Sequence, residues 1–202
     1  MLLTILKDCQ KEFDDDKDNV SYFKAVQQTF DAHPKNVNMT DVALKFAVLN
    51  ELYSTHIMAT YKMISHILKL ATEENLDNLL KSGDPAAVEK IRKGHRILGT
   101  NKKRKNKKQY DFYSFATKYC HFSNPNGYSI YDQYVDRALM RFRKDKDVQF
   151  FDQNDLYHAA SFIKIIDNVK KKANFSDYQQ LDRALWIYGK RLERSAKRKK
   201  RK

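Results

Sequence analysis

The chain has 202 residues, 42% of them apolar and 12% aromatic, with only five Gly and three Pro. This excludes collagen-like, low-complexity and wholly disordered chains. At this length a domain buries roughly 70% of the surface its unfolded chain exposes, so no disulfide or metal staple is needed. The net charge of +14 then asks where the cations sit and what they meet.

Scarce Gly and Pro, with apolar residues recurring every three or four positions, predict an all-α fold. The start, Met1 to Leu6, is apolar, but Lys7 and Asp8 cut it off before a secretory core forms. The acidic run Asp14-Asp15-Asp16-Lys17-Asp18 reads as a solvated turn between the first two helices, since it lacks the glycine and terminal glutamate of a calcium loop. From Met39 to Ala71 one long helix, with a single break near its middle, would face inward through Val42, Phe46, Leu49, Tyr53, Ile57, Ile64, Leu68 and Ala71. Thr40 or Asn38 is its N-cap.

A short helix over Asn75 to Lys81 ends at Ser82-Gly83, and Asp84-Pro85 opens another that reaches Lys93. The run after Asn101 is a loop or a frayed helix end. Phe112, Phe115, Ala116, Tyr119 and Phe122 make one face of the next helix, which Ser123-Asn124-Pro125-Asn126-Gly127 breaks. A further helix starts near Tyr131 or Asp132 and runs to Phe142. Asn154 to about Lys172, and Ser176 to about Arg194, supply the last two, the final one opened by a capping box at Ser176-Asp177-Tyr178-Gln179.

The domain reading is a single compact multi-helix domain over residues 1–194, open to subdivision into two helical lobes with the site between them and a basic loop at 100–109. A disordered basic tail over 195–202 follows. No stretch approaches the roughly 20 apolar residues of a membrane span. With two cysteines, Cys9 and Cys120, the chain reads as a cytoplasmic monomer without a membrane partner.

The cations are concentrated. Lys102, Lys103, Arg104, Lys105, Lys107 and Lys108 form one block, and Lys190 to Lys202 holds nine cations against Glu193 alone, so these two segments carry the whole net charge. A polyanion, most simply nucleic acid, fits such blocks because each phosphate contact releases counterions. A solubilising loop and tail, an acidic protein and an anionic membrane are the other readings.

Zinc spacing is absent, as the six histidines form no ligand-spaced pair with Cys9 or Cys120. No phosphate-cradling glycine loop occurs. The expectation is therefore no metal and no cofactor. Lys118 lies one turn from both Phe115 and Phe122, at the border of an apolar face. Desolvation there favours the neutral amine that a nucleophile requires. Asp132, at the start of the next helix, supplies a carboxylate. Read plainly, such a lysine snorkels and such an aspartate caps.

Ser114-Phe115-Ala116-Thr117-Lys118-Tyr119-Cys120-His121-Phe122, then Asn124-Pro125, then Ile130-Tyr131-Asp132-Gln133-Tyr134-Val135, resemble the helix-hairpin-helix DNA glycosylases (the HhH-GPD superfamily), and most closely their 8-oxoguanine-glycosylase-like branch. Leu181 to Gly189 is similar to the closing helix of that branch. Together these cover about a third of the chain.

The resemblance implies that Lys118 is the catalytic lysine, which attacks C1′ of a flipped nucleotide and forms a Schiff base able to proceed to strand cleavage. It implies that Asp132 is the catalytic aspartate. A flipped base needs an aromatic-lined pocket, for which Phe112, Tyr113, Tyr128, Tyr131 and Trp186 are the candidates. DNA is the implied partner, with the six cations from Lys102 to Lys108 on its phosphates. The family places a glycine-rich turn before the lysine helix; here the position reads Lys107-Lys108-Gln109-Tyr110-Asp111-Phe112. Either side-chain charge replaces those amide contacts or that grip on DNA is lost. The functional expectation is a DNA glycosylase with abasic-site lyase activity, DNA repair in kind. The alternative is a non-catalytic nucleic-acid-binding helical module.

Overall fold

The computed structural model describes residues 4–96, 111–143, 148 and 150–199, and every regular element among them is helical. The chain divides into two compact units. One joins Met1–Ser21 to Tyr128–Lys202; the other is Tyr22–Gly127. None of the described helices is long and apolar enough to cross a membrane.

In the unit Tyr22–Gly127, most of α2 (Lys17–Ala32) is followed by α3 (Met39–Leu52), α4 (Thr60–Glu73), α5 (Leu76–Ser82), α6 (Ala86–Arg92) and α7 (Tyr113–Ser123). The long helix expected over Met39 to Ala71 is two helices. Asn38 caps the first, accepting from Asp41 N at 2.8 Å. The break follows from Asn50: its Oδ1 accepts from Thr55 Oγ1 at 2.6 Å and Ile57 N at 2.9 Å, while Ser54 and His56 take positive φ. The break resets the helical phase. Met63, Ile64, His66, Ile67 and Leu70 are therefore the buried positions of α4, and the expected Leu68 and Ala71 are only half-buried.

Gly83 ends α5 in the left-handed region, and Asp84 Oδ1 then accepts from Ala86 N at 2.8 Å to start α6. On α7, every residue from Phe115 through Phe122 is buried, not the single face that periodicity suggested. It packs against α3, α5 and α6. Its rings meet Phe46 through Phe115, Phe30 through Tyr119, and Phe23 and Tyr53 through Phe122. A helix covered on all sides is a core helix.

The other unit is built on its last helix. It contains α1 (Thr4–Asp15), α8 (Gln133–Phe142), a 3₁₀ turn (Gln153–Tyr157), α9 (Ala159–Lys172) and α10 (Tyr178–Lys199), with α10 packed on both α1 and α8. Leu6, Cys9 and Phe13 of α1 are buried, and Glu12 and Asp14 pair with Arg191 and Arg183 of α10. Asp16 makes the expected turn between the first helices, its Oδ1 accepting from Asp18 N and Asn19 N. Against α8, Phe142 stacks on Tyr188 at 5.2 Å, and Gly189 lies so close that a Cβ there would stand 2.1 Å from Tyr134 O.

Three expectations are corrected here. The cap of α10 is Asp177, whose Oδ1 accepts from Gln180 N at 2.8 Å, rather than Ser176. The helix expected from Asn154 to Lys172 is interrupted, because His158 is extended between the 3₁₀ turn and α9. The tail expected to be disordered from residue 195 is helical through Lys199, and Lys197 pairs with Glu193 one turn back at 3.3 Å.

Candidate functional site

Lys118 is a residue of α7 and is 5% exposed. Its Nζ donates to Ser114 Oγ at 3.0 Å, one turn back on the same helix, and lies 5.8 Å from the centre of the Tyr53 ring. The amine is therefore held in an aromatic setting with a hydroxyl as one of its partners. Both ends of α7 are anchored. At the N-terminus Asp111 Oδ1 accepts from Tyr113 N at 3.1 Å and from Arg92 Nε at 2.8 Å, and the Arg92 guanidinium lies over the Tyr113 ring at 4.6 Å. At the C-terminus Asn124 Nδ2 donates to Leu80 O and Lys81 O, while its Oδ1 accepts from Gly127 N at 3.1 Å. A Cβ on Gly127 would lie 2.8 Å from Gly83 Cα, so the turn after α7 sits on the end of α5 with no room for a side chain.

The same unit holds a polar network that the sequence reading did not find. Asn36 Oδ1 accepts from Lys45 Nζ and from Tyr119 Oη, each at 2.6 Å. Asn36 donates to Asp77 through Nδ2 at 2.5 Å and through its backbone N at 3.1 Å. Burial lowers the Lys45 amine to about 8, against the pull of Asp77 and Asp41. Burial also holds the Tyr119 phenol well above its ordinary range.

Asp132 is half-buried and caps α8, its Oδ1 accepting from Tyr134 N at 2.8 Å and Val135 N at 2.9 Å. Two residues earlier the chain is tied to α10. Asp182, 5% exposed, accepts from Ile130 N at 3.0 Å and from Ser129 Oγ in a short hydrogen bond. Burial pushes the Asp182 carboxyl well above the usual range; the bonds from Ser129 and Ile130 oppose this, and Asp132 and Asp177 add to it. Asp182 carries no local signal in the sequence, because both of these partners are more than 50 residues away.

The sequence-derived site residues fall in both units. Lys118, Phe112 and Tyr113 belong to Tyr22–Gly127; Asp132, Tyr128, Tyr131 and Trp186 belong to the other. Tyr113, Tyr128 and Tyr131 are buried, whereas Phe112 and Trp186 are half-buried. The Tyr131 ring meets Tyr157 and Phe162, and its hydroxyl lies 3.0 Å from Asp136 Oδ1. Trp186 stands edge-on to Phe13 and Tyr134 beneath Lys190 Nζ. Lys102, Lys103, Arg104, Lys105, Lys107 and Lys108 lie outside the described residues. Among the described residues no group of three His, Cys, Asp or Glu side chains is placed to hold a metal.

The HI_0787_N family model, an N-terminal domain, matches residues 5–127. The chain belongs to this family. The HI_0787_N match takes in Lys118, Ser114 and the Asn36 network, and it ends at Gly127, where the unit Tyr22–Gly127 also ends. Asp132 and Asp182 follow it. An uncharacterized protein of Haemophilus influenzae is 35% identical over 143 residues, which cover 71% of this chain and 63% of that relative. The match thus spans less than two thirds of the relative's length. No solved structure matches the chain.

Proposed function

We propose that this protein is a lysine-dependent DNA glycosylase with abasic-site lyase activity, acting on a damaged base such as an oxidised purine. The observation that carries the reading is Lys118: a residue 5% exposed on a core helix, its amine donating to a hydroxyl at 3.0 Å, inside the segment that resembles such enzymes. Burial disfavours charge on an amine and removes the water that would compete with it. In the proposed reaction the Lys118 nitrogen attacks C1′ of an everted nucleotide, and the glycosidic bond breaks as the base leaves with a proton. Opening of the sugar ring gives the Schiff base. Loss of a C2′ proton then expels the 3′ phosphate, so no oxidant or reductant is consumed. Ser114 holds the amine nitrogen, and the resemblance assigns Asp132 the part of the catalytic carboxylate.

The end of α7 shapes how DNA is gripped in this proposal. Asp111 accepts from the Tyr113 amide and engages Arg92, so an internal carboxylate serves the helix start where a phosphate would sit. Phosphate contact then falls to side chains, the cations of 102–108 foremost. Borohydride reduction tests the chemistry. With duplex carrying an abasic site or 8-oxoguanine, the wild-type chain should form a covalent adduct and Lys118→Gln should not, with its helicity checked by circular dichroism. No adduct with any damaged duplex, or an equal adduct from Lys118→Gln, overturns the reading.

A second reading, a nucleic-acid-binding module without chemistry, draws support from α10, whose last turns expose Arg194, Lys197 and Arg198. It requires salt-sensitive binding that Lys118→Gln leaves intact and that neutralising Lys102 to Lys108 weakens.

A further inference from the structure

The segment Ser129-Ile130-Tyr131-Asp132 reaches its place by attachment to a distant helix. An unpaired carboxylate in an apolar interior is costly, and an aliphatic side chain would fill the same place at less cost. Asp182 nonetheless occupies the buried face of α10, with Ser129 Oγ and Ile130 N donating to it. Seven residues on, two helical turns along the same face, Gly189 lets α10 meet the backbone of Tyr134, with no space for even a methyl group. Tyr134 N is one of the two amides that Asp132 Oδ1 accepts from.

The chain on either side of Asp132 is therefore pinned to α10, on one side through Asp182 and on the other through Gly189. Between these pins the carboxylate is aimed by its own cap: Oδ1 is engaged with Tyr134 and Val135, and Oδ2 has no hydrogen bond among the described residues. The Asp132 charge is one of the influences that raise the Asp182 carboxyl.

We infer that Asp182 is a positioning residue for Asp132: its hydrogen bonds to Ser129 and Ile130 set where α8 begins, and hence where the unengaged Asp132 oxygen points. The inference rests on the glycosylase reading for its consequence in catalysis, but not for its structural content. Asp182 does not touch substrate. It acts on Asp132 through Ser129 Oγ and the Ile130 amide, in the chain that leads into α8.

Two measurements on the full-length chain separate the inference from that reading. The first is amide hydrogen exchange. In Asp182→Ala the Ile130, Tyr134 and Val135 amides should exchange about tenfold faster or more, while Leu185 on the same helix keeps its protection. In Asp182→Asn, whose amide can donate to Ser129 Oγ and accept from Ile130 N, they should stay near wild-type rates. The second is borohydride trapping at saturating abasic duplex. Asp182→Ala should slow adduct formation roughly ten- to a hundredfold, with duplex affinity within about twofold of wild type, and Asp182→Asn should restore the rate.

Unchanged exchange at Tyr134 and Val135 in Asp182→Ala overturns the positioning role, whatever the trapping shows. A wild-type chain that traps nothing overturns the glycosylase reading, and the exchange data still decide the role of Asp182. Should Asp182→Ala fail to fold, Ser129→Ala replaces it, with faster exchange at the same amides as the supporting result and wild-type rates as the overturning one.

Discussion

Lys118 Nζ donates to Ser114 Oγ at 3.0 Å, four residues back on α7. The pair is set by the helix itself, since residues at this separation share a face. Ser114→Ala should slow borohydride trapping about tenfold, the worth of one hydrogen bond to the amine. Ser114 is half-buried, so the unfolding free energy should move by less than about 1 kcal/mol. Single-turnover trapping beside urea unfolding reads both.

Lys45 makes stability depend on alkaline pH. Burial lowers its amine from 10.5 to about 8 in the folded chain. Below that value both folded and unfolded chains carry the proton, and the folded chain bears the full cost of a buried cation. Between about 8 and 10.5 the unfolded chain binds more protons, so stability rises with pH and the penalty is gone above the unfolded value. Urea unfolding of wild type and Lys45→Met across pH 7.5 to 10.5 should show wild type gaining about 1–3 kcal/mol relative to the variant. Tyr113 and Cys9, whose ionisation is suppressed by burial away from Lys45, contribute to both chains and drop out of the difference.

Asn36 is the hub for Lys45, Tyr119 and Asp77. Asn36→Ala takes a partner from a buried ammonium, a buried hydroxyl and a carboxylate at once. The expected loss is about 3 kcal/mol or more, against about 1 kcal/mol for Tyr119→Phe, which removes one hydrogen bond and leaves the rest. Chemical denaturation of the two variants checks the ratio.

Gly189→Ala should destabilise, although alanine ordinarily favours a helix interior by about 1 kcal/mol over glycine. The added methyl would stand 2.1 Å from Tyr134 O and 2.7 Å from Tyr134 Cα, and a backbone cannot rotate aside as a side chain can. A loss of about 3 kcal/mol, seen as a lower thermal or urea midpoint, is expected. A neutral or stabilising effect would show that α8 and α10 do not meet as closely as described.

If the chain binds nucleic acid, its affinity should fall steeply with salt. Replacing Arg194, Lys197 and Arg198 by glutamine should reduce the slope of log K against log salt by roughly 0.9 for each phosphate contact removed from duplex DNA. Neutralising Lys102 to Lys108 should reduce it further. Fluorescence anisotropy at several salt concentrations measures the slopes, and unchanged slopes would remove both segments from the interface.

Helix boundaries were largely legible from residue order because their causes are local. Asn38 caps α3, Gly83 ends α5, Asp84 starts α6, and Asn124 to Gly127 stop α7, each through bonds spanning only a few residues. The phase of α4 was not, because the turn built by Asn50 separates it from α3 and restarts the periodicity. Lys118 and its neighbour Ser114 were within reach of the sequence for the same local reason. Asp182 was not singled out, since nothing near it in the chain distinguishes a structural carboxylate from a surface one.

Residue order alone determined that this protein is helical, where most of its helices start and stop, and that its charge lies in two blocks, because capping, turn chemistry and composition act over a few residues. Tertiary structure alone decided that α10 packs on both α1 and α8, that Asn36 joins Lys45 to Tyr119 and Asp77, and that Asp182 holds Ser129 and Ile130. Each of the latter depends on helix faces from distant parts of the chain excluding water together, and a buried polar group then takes whichever partner the packing leaves beside it.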